Sequence, residues 1–426
     1  MDTSTTTRYA MDTSSPTKPD KVQSHPVLRN LQYSPIKEQD EQYIVLWDPS
    51  GVSTEKLVLP LNYFFVVQHF DGQHSLDQIG ALYLNRFGEF LLPERLNRLV
   101  RELEVKLFLE GPASEAAKEA RRRAFRQDPV RRAVHAGKSY EAEGFKLRRQ
   151  IESWYQSKEG PEPKPSPNKG KRIKGLVAPA YDLKQAGPIY AWAYKQLNEA
   201  ESPDVFVLLA PCHAGMDSLF AFTDKDFETP LGTVPANKPM LEHLRRHGEE
   251  FFADDAAHEQ EHALEFQLPL LLDAVGKQRP CTIVPILCGF SAQDLREPTV
   301  RTGIDRIVDL LRHASSEAGV EPCVIASADL AHIGMRYGDA APPTDFSFHR
   351  CMQQDLAMLK FVEDLKPEEF ASFIQQEGDS RRITGFAPIY SLLRLITAES
   401  GQIHRYDRGI TDQYNSTVTY ASMAFF

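Results

Sequence analysis

No apolar run in this sequence of 426 residues approaches the roughly 20 needed to cross a bilayer, which excludes a helical membrane span. None of the five cysteines (Cys212, Cys281, Cys288, Cys323 and Cys351) is spaced Cys-x-x-Cys, which removes the usual zinc-knuckle and dithiol signatures. An odd, dispersed set, three of them in apolar strand-like runs, points to reduced thiols and a cytoplasmic compartment. Positive charge is in deficit as well: the net charge of −10 argues against a protein that coats nucleic acid or anionic membrane. The opening "MDTSTTTRYAMDTSSPTKPD" lacks the apolar core of a secretory signal, and residues 1 to 27 read as a disordered tail.

What is present is an ordinary globular composition, 42% hydrophobic and 25% charged. From "NLQYSPI" onward the pattern becomes structured. "YIVLWDPSG" and "EKLVLPL" read as two strands around a Pro-Ser-Gly turn, and two helical stretches follow, ending near Glu110. Between the helices Ser75 and Gln78 form a predicted capping box. Residues 28 to 112 therefore read as a small winged-helix domain, and 113 to 130 as a basic connector. Arg121, Arg122, Arg123, Arg126, Arg131 and Arg132 crowd this region, which fits either a solvated helix or a surface for an anionic partner. The mixed charges of "PERLNRLVRELEVKLF" disfavour DNA reading.

Beyond a Pro/Lys/Gly loop, short apolar runs ("KGLVAPA", "DVFVLLAPC", "CTIVPILCGF", "CVIASADLAH") alternate with helical segments. This is the pattern of an α/β domain, residues 131 to 426, with a mainly parallel sheet flanked by helices. Sites in such sheets gather at the carboxyl ends of strands. Three ends here are polar: Cys212-His213, Asp329 with His332, and Ala180-Tyr181-Asp182.

The stretch "HEQEH", His258 to His262, matches zinc-protease helices in either direction. A catalytic zinc also needs a third protein ligand. The segment instead runs through Pro269 into a strand, and no further histidine precedes His313. The protease reading is set aside.

Six segments in order resemble the Memo family, the B component of the AmmeMemoRadiSam system: "AVHAGKSYEAEGF", "GLVAPAYD…G…A…Y", "LLAPCH", "TPLGTVPANKPML", "EHALEFQLPLL" and "ASADLAHIG". The resemblance implies a fold like that of the extradiol dioxygenases. It also implies an iron or copper pocket of two histidines and a cysteine. Carried over, the first histidine position is Ala180, the second is His213 and the cysteine position is Thr384; a family aspartate is Asn237. His135, His213, Glu261, His262, Asp329 and His332 are retained. Alanine offers no donor and a threonine hydroxyl is a poor substitute for a thiolate, so the metal site is expected to be lost or weakened. Tyr181, Asp182 and Cys212 are the nearby residues able to supply replacements.

Residues 28 to 112 resemble the PqqD-type proteins that escort peptides to radical SAM enzymes. Together the resemblances imply a component working with a radical SAM enzyme and an AMMECR-type component. On this expectation Asp329, His332 and His213 carry any chemistry, with Asp329 and His332 as an acid–base pair, while His135, Glu261, His262, Cys212 and Asp182 bind ligand. A metal-dependent oxidoreductase with replacement ligands around His213 and a non-catalytic scaffold remain open alternatives.

Overall fold

The computed structural model describes residues 6–9, 22–38, 41–161, 163–201, 203–276 and 280–426. They form two compact units, Met1–Gln127 and Asp128–Phe426.

Unit 1 contains β1 (Thr6–Arg8), β2 (Gln32–Glu38), β3 (Glu41–Trp47) and β4 (Lys56–Pro60), followed by α1 (Leu61–Val67), α2 (Leu76–Phe87), α3 (Pro93–Val105) and α4 (Pro112–Gln127). Its sheet runs β1-β4-β3-β2. β2 escaped the sequence reading because it carries Pro35, which a sheet tolerates on an edge strand. The Ser75–Gln78 capping box is present, and α2 ends on Gly88 in the left-handed conformation (φ 72°). α3 buries Leu96, Leu99, Val100 and Leu103, a spacing of i, i+3, i+4, i+7 that turns its charges outward.

Two expectations change here. The tail is not disordered throughout: residues 6–8 form β1 and Tyr9 is buried, because one edge of β4 and a ring-sized space accept them. Residues 1–5 and 10–21 lie outside the described residues. The basic segment is not a separate solvated connector either. α4 belongs to unit 1 and buries Phe125. Arg131 lies in unit 2, fully buried in an ion pair with Glu265, while Arg132 pairs with Asp128.

Unit 2 begins with β5 (Val130–Arg131) and α5 (Gly144–Gln156), then β6 (Gly175–Ala178), α6 (Leu183–Glu199), β7 (Val205–Pro211), β8 (Phe220–Phe222), β9 (Asp226–Thr229), β10 (Gly232–Val234) and α7 (Lys238–His247). There follow α8 (His262–Glu265), α9 (Gln267–Leu271), β11 (Thr282–Cys288), α10 (Pro298–Glu317), β12 (Cys323–Ser327), β13 (Asp329–Ile333), α11 (Asp345–Glu363), α12 (Pro367–Gln376), α13 (Phe386–Leu395), β14 (Gly401–Ile410) and β15 (Thr417–Phe425). The main sheet runs β13-β15-β6-β12-β7-β11-β8, with β14 on β15, and a small sheet is β10-β9-β5.

The centre, β6-β12-β7-β11, is parallel. Its flanks are antiparallel, so the sheet is mixed rather than mainly parallel. The cause is the carboxyl-terminal hairpin β14–β15, which inserts β15 beside β6 and carries β13 on its far edge. Successive residues of the parallel strands face opposite cores: Val207 and Leu209 join one cluster, Phe206 and Leu208 the other. Burial on both faces explains why these strands read as unbroken apolar runs. Among the described residues no helix is long and apolar enough to cross a membrane, and all five cysteines are free.

Candidate functional site

The polar cluster lies where β6, β7 and β12 end. His213 stands two residues past Pro211, the end of β7. Its backbone amide donates to Glu261 Oε2 at 2.8 Å and its Nδ1 bonds to Glu261 Oε1 at 3.0 Å. A carboxylate only accepts, so Nδ1 carries the proton and Nε2 is left as the lone-pair nitrogen of the neutral ring. Glu261 is the N-cap of α8 and also accepts from the Ala263 amide at 3.0 Å. Burial alone would raise its pKa; the hydrogen bond and charge of His213 outweigh that and hold it well below the usual carboxylate range. Burial likewise opposes charge on His213, but the bond to Glu261 prevails and its pKa rises.

His262 lies against the same group, its ring 4.4 Å from that of His213 and its Nδ1 3.3 Å from Glu261 Oε1. Burial pushes its pKa down to about 4 despite the nearby carboxylate, so the ring is neutral at pH 7. The ligand atoms of His213, Glu261 and His262 lie within 4.8 Å of one another. His135 completes the row: its Nε2 bonds to Gln260 O at 3.0 Å and its ring meets that of His262 edge-on at 5.9 Å.

His258 does not belong to this group, although it sits four residues before His262. The chain is a 3-10 turn at Asp255–His258 and α8 starts only at His262, so the two rings share no helix face. His258 is buried elsewhere, its Nε2 bonded to Ala221 O at 3.0 Å. The structure thus gives a second ground, independent of ligand counting, for rejecting the protease motif.

The opposite side is built differently. Ala180 is fully buried and presents only a methyl group. Its amide and that of Tyr181 both donate to Asp329 Oδ1 at 3.0 Å, joining the ends of β6 and β12. Burial raises the Asp329 pKa to about 7, against the pull of these bonds and of His213.

Asp329 and His332 do not form the expected couple. No hydrogen bond joins them among the described residues. His332 Nδ1 instead bonds to Arg382 O at 3.1 Å, and its amide donates to Arg381 O at 2.7 Å, because the 381–385 loop zips along β13. Burial lowers the His332 pKa to about 4. The charge of His213 acts on both residues, so the three are neighbours without direct bonds. Thr384 sits on the same loop with its Oγ1 buried and without a hydrogen-bond partner. The next residue must be glycine, since a Cβ at Gly385 would lie 2.4 Å from Asp329 O.

Of the proposed replacement ligands, Asp182 is occupied as the N-cap of α6, accepting from the Lys184 amide at 2.8 Å. Tyr181 stacks on Tyr420 at 5.4 Å. Cys212 is partly buried, and burial lifts its thiol to about 11, so it is no ready thiolate. None of the three joins the converging ligand atoms of His213, Glu261 and His262. Asn237 caps α7 through the Met240 amide and donates to Thr282 Oγ1.

Sequence reasoning missed the support beneath this site. Buried Gln267 donates to Pro179 O at 2.8 Å and to Ser327 Oγ at 2.7 Å, and Ser327 donates to Ala263 O at 2.8 Å. Arg131 pairs with Glu265 and donates to Glu261 O at 2.7 Å and His258 O at 3.1 Å; Tyr140 also donates to Glu265. The available signal was Glu265 and Gln267 themselves, polar side chains inside the apolar run "HALEFQLPLLL".

Comparison with known proteins matches residues 131–424 to the family described as Memo-like protein. A MEMO1 family protein of Aquifex aeolicus is 23% identical over 402 residues, 93% of this chain and 99% of its own length. That alignment necessarily reaches into unit 1. A MEMO1 family protein of Pyrobaculum aerophilum is 30% identical over 304 residues, 70% of this chain and 99% of its own length. One from Methanothermobacter thermautotrophicus is 31% identical over 217 residues, 51% of this chain and 74% of its own.

Proposed function

Because this chain belongs to the Memo family, we propose that it is an AmmeMemoRadiSam component that works with a radical SAM enzyme and an AMMECR-type component in the cytoplasm. Its inherited metal pocket is degenerate, and the polar remnant binds a ligand or supports metal-independent chemistry. One observation carries this reading: of the three positions where the resemblance expects metal ligands, only His213 offers a nitrogen donor, while Ala180 is a buried methyl and Thr384 a buried hydroxyl. The residues present do not fit the family's iron or copper site, and no step is routed through a metal.

His213 is the working group on this reading. Glu261 fixes its tautomer, so Nε2 accepts a hydrogen bond or a proton from a bound ligand. Asp329, protonated or ionised near neutral pH, is its neighbouring acid. Unit 1, strands followed by helices with mixed surface charge, fits a PqqD-like winged-helix module that presents a peptide to the partner enzyme. The test is capture of a radical SAM enzyme by the full-length protein, and loss of cellular function in His213→Ala with the fold preserved. Function that survives His213→Ala at wild-type levels would favour the scaffold alternative.

A second reading is favoured by the convergence of His213, Glu261 and His262, which is a donor set suited to zinc or iron. Against it, both Glu261 oxygens already accept from protein donors. Stoichiometric metal that disappears in both His213→Ala and His262→Ala would establish it.

A further inference from the structure

β1 stands apart from the rest of unit 1. It is three residues long and pairs in parallel with β4, Thr6 opposite Lys56, Thr7 opposite Leu57 and Arg8 opposite Val58. Tyr9 prolongs the contact: its amide donates to Val58 O at 3.2 Å and its hydroxyl to Arg95 O of α3 at 3.1 Å. Its ring is 7% exposed and lies 4.8 Å from that of Tyr63. Among the described residues Tyr9 is the only fully buried member of the unit 1 core that precedes Ile44.

Remove this segment and β4 becomes an edge strand, since the sheet ends β1-β4 on that side. Its central residues Leu57, Val58 and Leu59 are apolar and buried. An uncovered edge of that kind is a template for any extended chain that supplies main-chain donors and acceptors. The segment that covers it here depends on three paired residues and one aromatic anchor, far less than holds any other strand of the sheet.

We propose that the groove between β4 and α3 is a docking site for an extended peptide carrying a tyrosine, and that residues 6–9 are its intramolecular occupant. The groove defines the ligand chemistry. Strand pairing accepts any extended backbone, the Tyr63 face selects an aromatic ring, and the Arg95 carbonyl rewards a phenolic hydroxyl over phenylalanine. A tethered segment has a high effective concentration, so a free peptide must outcompete it or meet a chain from which the anchor has been removed. This inference rests on the reading of unit 1 as a peptide-recognition module and narrows it to one groove and one side-chain class.

The probe is a fluorescein-labelled peptide of residues 3–11, TSTTTRYAM, titrated into full-length protein. The expected result is binding at least about tenfold tighter to Tyr9→Ala than to the wild type, because self-competition is relieved. Binding should be lost when the tyrosine of the peptide is replaced by alanine. Equal binding to both proteins, or to neither, overturns the proposal. Hydrogen exchange gives a second readout, with amides of 56–60 exchanging several-fold faster in Tyr9→Ala; unchanged exchange would also overturn it. A peptide substrate that binds the full chain equally with and without Tyr9→Ala would sink this inference and leave the broader peptide-recognition reading standing. Dimers that form only when Tyr9 is intact would mark an exchange site between copies and equally overturn it.

Discussion

On the His213 side of the site three protein donors converge on the buried carboxylate of Glu261, and the backbone carrying it is tied down by Arg131. On the Ala180–Thr384 side the backbone is equally well held, through Asp329, yet the side chains offer a methyl group and an unpaired hydroxyl. Scaffold and chemistry have therefore parted company. Both walls keep the architecture that once positioned donor atoms, but only one retains a nitrogen donor with its orienting partner, the arrangement that metal-binding or acid–base histidines require.

The comparison breaks most severely if the intact wall loses its foundation. Arg131→Ala leaves Glu265 as an unpaired buried charge, and urea unfolding should show a loss of about 3–5 kcal/mol. A loss below about 1 kcal/mol would mean the pair is not buried in solution.

Next in size is the pH response of Asp329. Its folded pKa, about 7, lies above the ordinary 3.8. The neutral acid is thus favoured by folding: this stabilisation is complete below the ordinary value and fades as pH rises through about 7. Asp329→Asn keeps an acceptor for the Ala180 and Tyr181 amides and should flatten the stability profile between pH 4 and 8, a range spanning both values. An unchanged profile would place the proton elsewhere.

Glu261→Gln should cost about 1–3 kcal/mol, since a charged hydrogen-bond partner of His213 is replaced by a neutral one. In an NMR titration the His213 pKa should fall. The wild-type bond stabilises the fold at low pH, where the imidazolium is present, and that contribution is lost as pH rises through its elevated pKa.

The smallest effect belongs to the degenerate wall. Thr384→Val removes a hydroxyl that bonds to nothing, so thermal unfolding should change by less than about 1 kcal/mol in either direction. A larger loss would reveal a partner for that hydroxyl.

Much of unit 2 was legible because its strands are buried on both faces and read as apolar runs, as "DVFVLLAPC" does for β7. The strand ends then placed His213 and Asp329 correctly near one another. What stayed hidden were relations that spacing does not encode. The antiparallel insertion of β15 depends on pairing across 248 positions, from Gly175 to Phe425, not on local pattern. The Asp329–His332 couple failed because a bulge between them turns the imidazole toward the 381–385 loop. β1 was invisible because three polar residues without periodicity resemble any tail.

The central claim is tested most directly by metal content. Wild-type protein and the double variant Ala180→His/Thr384→Cys would be purified without oxygen, loaded with iron or copper, desalted and analysed for bound metal. The account predicts well under one equivalent in the wild type and a gain toward one equivalent when both lost donors are restored. A full equivalent in the wild type, abolished by His213→Ala, would contradict it.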